Sequence, residues 1–115
     1  MLENLPVITD EFMKENMTKT KSYCSVILKF GPNIQMPGVE KIIWEHGRRN
    51  FALRESGLLS IVCPIADGTT TCGLAIFNAT ADDVKTIMEG DPGVKQGVFT
   101  YEIHPTRSFP GDKLP

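Results

Sequence analysis

The sequence predicts an α+β domain of ferredoxin-like type, in which a four-stranded antiparallel sheet carries two helices on one face. Three observations predict it. Four short runs alternate apolar and polar residues, or are continuously apolar, between turn signals, as strands do. Two stretches between them place apolar residues at helical spacing. The resulting order is β-α-β-β-α-β, the split arrangement that folds into such a sheet.

The first strand is expected over Ser22–Phe30. Cys24, Val26, Leu28 and Phe30 share one face, and Tyr23, Ser25, Ile27 and Lys29 the other. Gly31-Pro32-Asn33 ends it. The first helix follows from Pro37, which suits a helix start, to Gly57, which suits a left-handed cap. Stepping 100° per residue from Val39, the residues Ile42, Ile43, His46, Asn50 and Leu53 fall within roughly 60° of it. Lys41, Glu45, Arg48 and Glu55 fall on the far side, and Trp44 and Phe51 form a flanking stripe.

Leu58–Ile65 is the second strand, with Pro64 marking an edge or a bulge. Asp67-Gly68 is a hairpin signal, so Cys72–Ala79 returns as the third strand. Thr80 caps the second helix, whose apolar face is Ala81, Val84, Ile87 and Met88. Gly90 stops that helix and Asp91-Pro92-Gly93 leads out. Residues 96–104 form the fourth strand, with Phe99, Tyr101 and Ile103 on one face.

The chain thus divides into an N-terminal extension (1–21), the main domain (22–105) and an irregular proline-rich tail (106–115). Thr9 can cap a short helix carrying Phe12, Met13 and Met17. That helix has too little apolar surface to stand alone. Leu2, Leu5, Val7, Ile8 and Phe12 are too apolar for a free tail, so the extension is expected to dock on its own domain or on another subunit. The open face of the sheet is only partly polar (Tyr23, Ile27 and Val98) and calls for a cover, most simply the same face of a second copy.

With 115 residues and a net charge of −2, the chain carries no basic field for nucleic acid or anionic lipid. It has no signal peptide and no apolar run of the about 20 residues that a membrane span needs. Three scattered cysteines without a CxxC pattern indicate a reducing cytoplasm rather than a disulfide framework. No zinc-ligand spacing and no phosphate or dinucleotide loop occurs, so no metal or organic cofactor is expected.

His46 is the chain's strongest candidate for chemistry. A histidine on an apolar helix face is often a satisfied core residue. Here Asn50 lies beside it four residues on, and a well-packed core rarely takes two polar groups in one stripe. A pocket explains both. Asp91 before Pro92 is good turn chemistry. Its functional reading is as the partner of His46, because a carboxylate on one imidazole nitrogen fixes the tautomer and raises the basicity of the other. Arg49, at the border of the stripe, is a candidate for a substrate carboxylate or for a glutamate. Ser25 and Cys63, with Tyr23, are candidates to line the pocket from the sheet. His104 reads as a surface or interface residue.

Across about residues 22–105 the chain resembles the YCII-related proteins, a branch of the dimeric α/β-barrel superfamily. The resemblance is carried by EHGRRNFALRESGLL, CPIADG and GLAIFNATADDVKTIMEGDPGVKQGVFTYEIHP. It implies a dimeric barrel and a site at His46 and Asp91. It also implies chemistry on small ring compounds such as lactones and chlorinated hydroxyquinols, although most relatives have no assigned reaction. The chain departs from the pattern at Val62-Cys63-Pro64, where Ala-Gly-Pro is common, and at Gly93, where a bulky residue often follows Asp-Pro.

The expectation is a small cytoplasmic enzyme with a His46–Asp91 acid–base dyad. It would act by proton transfer, as an isomerase or lyase does, on a small cyclic or carbonyl compound. The alternative is a non-catalytic module of the same fold that binds a small ligand or serves assembly. A weaker third reading makes Cys63, beside Pro64, a redox sensor. The expected partners are a small molecule and a second copy, or more copies, of the chain.

Overall fold

The computed structural model describes residues 2–115. It contains helix α1 (Asp10–Met17), strand β1 (Lys21–Phe30), helix α2 (Val39–Glu55), strands β2 (Leu59–Pro64) and β3 (Thr71–Phe77), helices α3 (Ala81–Glu89) and α4 (Pro92–Lys95), and strand β4 (Phe99–Ser108). The strands form one antiparallel sheet in the order β2-β3-β1-β4. The fold is therefore the α+β, ferredoxin-like one that the pattern predicts.

Strand alternation decides which face receives the helices. Cys24 and Val26 are 1% and 2% exposed and pack with Leu59, Phe77, Val84 and Met88. Registers Cys24↔Phe77, Val26↔Ala75 and Val26↔Ile103 bring the inward side chains of three strands together. Filling this layer releases roughly 25 cal/mol for each Å² of apolar surface removed from water.

The helix ends follow local chemistry. Thr9 accepts from the Phe12 amide at 3.1 Å and caps α1. Thr80 accepts from Asp83 at 3.2 Å and caps α3. Past the end of α2, Gly57 adopts φ +84°, a left-handed conformation natural to glycine, and Leu58 donates to the Leu53 carbonyl. At the other end α2 begins at Val39 rather than Pro37, because Gly38 at φ +79° breaks the turn before it.

Two expectations need correction at the last strand. Asp91-Pro92-Gly93 does not simply lead out: it opens α4, with Asp91 as the capping residue and Pro92 in the first turn. This helix, and Gly97 at φ +71° after it, delay β4 to Phe99 instead of residue 96. The strand then continues past His104 to Ser108, pairing with β1 as far as Lys21. Pro105 is tolerated because β4 is an edge strand and its missing donor need not meet a neighbour.

The N-terminal segment does not dock on its own domain. Leu2, Leu5, Val7, Phe12, Met13 and Met17 are all more than half exposed, and α1 has no buried residue. A further departure concerns α2. Its apolar stripe faces the sheet, yet none of its residues is fully buried, because a cavity lies beneath it.

Candidate active site

The cavity beneath α2 is part of a space of about 1000 Å³ that residues of both sheet faces and the tail border. His46 and Asn50 line it from α2, Val26 and Leu28 from β1, Met88 from α3 and Phe99 from β4. Four of these six residues are apolar, so a ligand here would exchange water for hydrocarbon over most of its surface.

Sequence position explains how each polar group arrives. His46 lies on the inward stripe of α2, 45 residues from Asp91 along the chain. Asp91 follows the last turn of α3 and begins α4, where an N-cap needs an acceptor. Its Oδ2 accepts from the Gly93 and Val94 amides at 2.9 and 3.2 Å. Its Oδ1 is then left for His46, whose Nδ1 stands 2.8 Å away. The aspartate is 1% exposed and the only buried charged residue among those described. One carboxylate therefore serves both readings of the sequence, as turn chemistry through one oxygen and as imidazole partner through the other.

A carboxylate only accepts, so this contact puts the proton of neutral His46 on Nδ1. Nε2 is then the acceptor. Asn50 Nδ2 stands 3.3 Å from it, a long hydrogen bond donated by the amide. The His46 side chain is 13% exposed and that of Asp91 is 2% exposed, so the imidazole lies between the sealed carboxylate and the cavity.

Phe99 supports the ring, with centroids 4.6 Å apart and planes tilted by 46°. Alternation placed Phe99 on the inner face, but its contact with His46 was not legible, because it depends on how far α2 stands from β4. Gly93 belongs to the same arrangement. A Cβ there would overlap the Phe99 ring, so glycine at this position leaves room for the aromatic that supports the histidine.

Arg49 is brought near but is aimed at the aspartate. Its Nη1 is 4.0 Å from Asp91 Oδ1, and its guanidinium lies against Gly90, where a Cβ would sit 2.8 Å from Nη2. It places positive charge beside the carboxylate and remains 30% exposed. The structure thus gathers His46, Asp91, Arg49 and Asn50.

Ser25 and Cys63 are not gathered with them. Ser25 pairs with Ile76 and His104 and shares a 2.7 Å hydrogen bond with Thr106 on the open face. Cys63 pairs with Leu74 and borders the cavity at the sheet edge. Its neighbour Val62 packs on the core, so alternation turns the thiol away from His46. Tyr23 also borders the cavity from that face. Residues of both faces border this space, and so do Phe109 and Leu114 of the tail. All three cysteines are free thiols. Burial pushes Cys24 and Cys72 up from the ordinary thiol value. His104 lies on the exposed side of β4, 3.2 Å from Glu102.

No family model matches the chain, and no curated protein matches it. Eight chains of solved structures are similar to it. One is a 5-chloro-2-hydroxyhydroquinone dehydrochlorinase from Burkholderia phenoliruptrix AC1100 in complex with 2,5-dihydroxybenzoquinone. The likeness has 21% identity and a TM-score of 0.46, and covers 70% of this chain and 90% of that one. Identity this low transfers no residue roles.

Among the described residues no three His, Cys, Asp or Glu side chains gather as metal ligands. None of the helices among these residues is long and apolar enough to cross a membrane.

The four gathered groups can move a proton. Among the described residues the side-chain hydrogen-bond partners of the imidazole are Asp91 and Asn50, an arrangement suited to proton transfer.

Proposed function

We propose that the protein is a small YCII-related enzyme that moves a proton on a small cyclic or carbonyl compound, with His46 as acid and base and Asp91 as its partner. One observation carries the reading: the 2.8 Å contact from His46 Nδ1 to a carboxylate that is otherwise sealed, at the wall of a largely apolar cavity. Nε2 takes a proton from the carbon beside the carbonyl as the electron pair moves toward the carbonyl oxygen. The same imidazolium returns the proton at another atom, or to a departing group, giving isomerisation or elimination. For this Asn50 swings off Nε2, and its amide is then free to donate to the substrate oxygen. Three strand thiols fit a reducing cytoplasm. A homodimer through the open sheet face, where Ile27, Ile61, Leu74 and Ile76 are half-buried, completes the reading.

The first test is the ¹⁵N spectrum of the His46 ring in the neutral form. The expected result is an Nδ1–H tautomer that is lost in Asp91→Asn. An Nε2–H tautomer in the wild type would overturn the dyad. With a substrate identified by solvent deuterium exchange into lactones or hydroxyquinones, His46→Gln should lower kcat/KM by about 10²–10⁴-fold. Asp91→Asn should lower it by about 10–100-fold, as partner substitutions around ligating histidines do.

The Asn50 contact favours a second reading, because it occupies the nitrogen that a catalyst leaves free. In that case the pocket only binds. His46→Gln would then abolish small-molecule binding while no compound in the screen exchanges its protons.

A further inference from the structure

The polar residues that α2 holds over the cavity run further than His46 and Asn50. Arg54 lies four residues beyond Asn50 and eight beyond His46, so it continues the same line of side chains by one more turn. It also lines the cavity, which Arg48 and Arg49 do not. The other two arginines of this helix are committed elsewhere. Arg48 Nε lies 3.1 Å from Glu45, and Arg49 faces Asp91. Among the described residues Arg54 makes no hydrogen bond or ion pair. Its guanidinium carbon stands 5.4 Å over the ring of Phe51, which lines the cavity too.

That ring contact sets the direction of the side chain. The rise from His46 to Arg54 is about 12 Å along the helix axis. Resting on Phe51, three residues back, draws the guanidinium toward His46, the way long side chains lean on a helix. Arg54 is exposed, so its head group keeps its water at the mouth while the walls behind it are largely apolar. Asp112 and Lys113 of the tail border the same space, and their opposite charges offset each other. Among the described residues that border it, Arg54 is therefore the fixed charge left without an opposite one.

We propose that Arg54 anchors the substrate, and that the substrate is a small ring carbonyl compound carrying a carboxylate. The inference rests on the cavity being the small-molecule site proposed above, and adds the class of compound that it takes. A guanidinium offers a carboxylate two parallel N–H donors. One guanidinium also balances one negative charge, whereas a phosphate monoester, with about −1.5 to −2, would be left partly unpaired. With the carboxylate held at the mouth, the ring enters the apolar space behind it. Its carbonyl oxygen then meets the Asn50 amide, and the carbon beside the carbonyl meets His46 Nε2. Three contacts along one line of α2 fix the orientation that proton transfer to a single base requires. Arg49, the arginine that the sequence marks for a substrate carboxylate, serves Asp91 instead. Arg54 takes that part five residues on.

Benzoate and benzamide are the probes, the same planar ring with and without the charge, and their binding is read by NMR on the full-length protein. Both should shift the His46 ring signals, and benzoate should bind about tenfold more tightly. Arg54→Met keeps an apolar stem over Phe51 and should remove the preference while leaving benzamide affinity unchanged. Arg48→Met removes the same charge outside the cavity and should leave the preference intact. The preference should also hold from about pH 6 to about pH 8, because a guanidinium stays charged throughout while a histidine titrates in that range. Equal binding of the two probes would overturn the proposal and leave the cavity as the small-molecule site. So would a preference that survives Arg54→Met, falls as far in Arg48→Met, or disappears as pH rises. If neither probe binds, the small-molecule reading of the cavity fails, and the proposal with it.

Discussion

Asp91 is the residue on which the candidate site turns. Its backbone position is fixed by the end of α3 and the start of α4, and its two oxygens divide between capping and His46. Among the described residues no buried side-chain nitrogen or oxygen is left without a partner, so the polar pocket is held by complete pairing and not by strain. The neighbouring glycine is the more exposed weakness. Gly93→Ala puts a methyl group into the Phe99 ring, and overpacking of this kind costs about 1–3 kcal/mol. Chemical denaturation of the variant should show that loss. The His46 ring resonances should shift as well, because Phe99 is the surface on which the imidazole rests.

At the scale of elements, α3 and α4 place the aspartate and α2 places the histidine. Helix α3 is well anchored, with Val84 fully buried and Met88 nearly so. Its first turn depends on one side-chain acceptor, Thr80 Oγ1. Thr80→Ala should cost about 1 kcal/mol, measurable as a lower urea midpoint with an unchanged m value, and should leave the His46 tautomer intact because the cap lies at the far end of the helix. The elements also show what was legible in the chain. Both threonine caps and the left-handed Gly57 could be read locally, since each depends on residues within five positions. Helix α4 could not. Its four residues are too short for a periodic signal, and Asp91-Pro92-Gly93 is turn chemistry whether or not a helical turn follows.

For the whole molecule, stability should follow pH from both sides. Burial first, and then the charge of Glu89 with the bond that the phenol donates to it, push Tyr101 up from its usual value. A group raised on folding contributes stability that is fully present below its unfolded value, about 10 for tyrosine, and lost as pH rises through the folded value. Cys24 and Cys72, raised by burial, act in the same direction. The denaturation midpoint should therefore fall above about pH 9, and fall less steeply in Tyr101→Phe. On the acid side, Lys29 and then His104 lower Glu102, and Thr69 lowers Asp67. Their contributions are present above the usual carboxylate range and lost as pH falls through the lowered values, with small amplitude because both are solvent-exposed.

By itself the sequence determined the order of the four strands and the helices other than α4, the inward faces of the strands and the histidine stripe of the first long helix. All of these are periodicities and short-range chemistry, which a chain carries wherever it folds. It also supplied His46 and Asp91 as a pair, through the family resemblance. Only the tertiary structure decided that they meet at 2.8 Å, that α2 stands off the sheet over a cavity instead of closing on it, and that Phe99 fills the space left by Gly93. It also set Ser25 on the open face, and put Cys63 at the cavity edge with its thiol turned from His46. Which face of a strand is the pocket wall depends on where the helices pack, and that is a property of contacts between residues far apart in the chain.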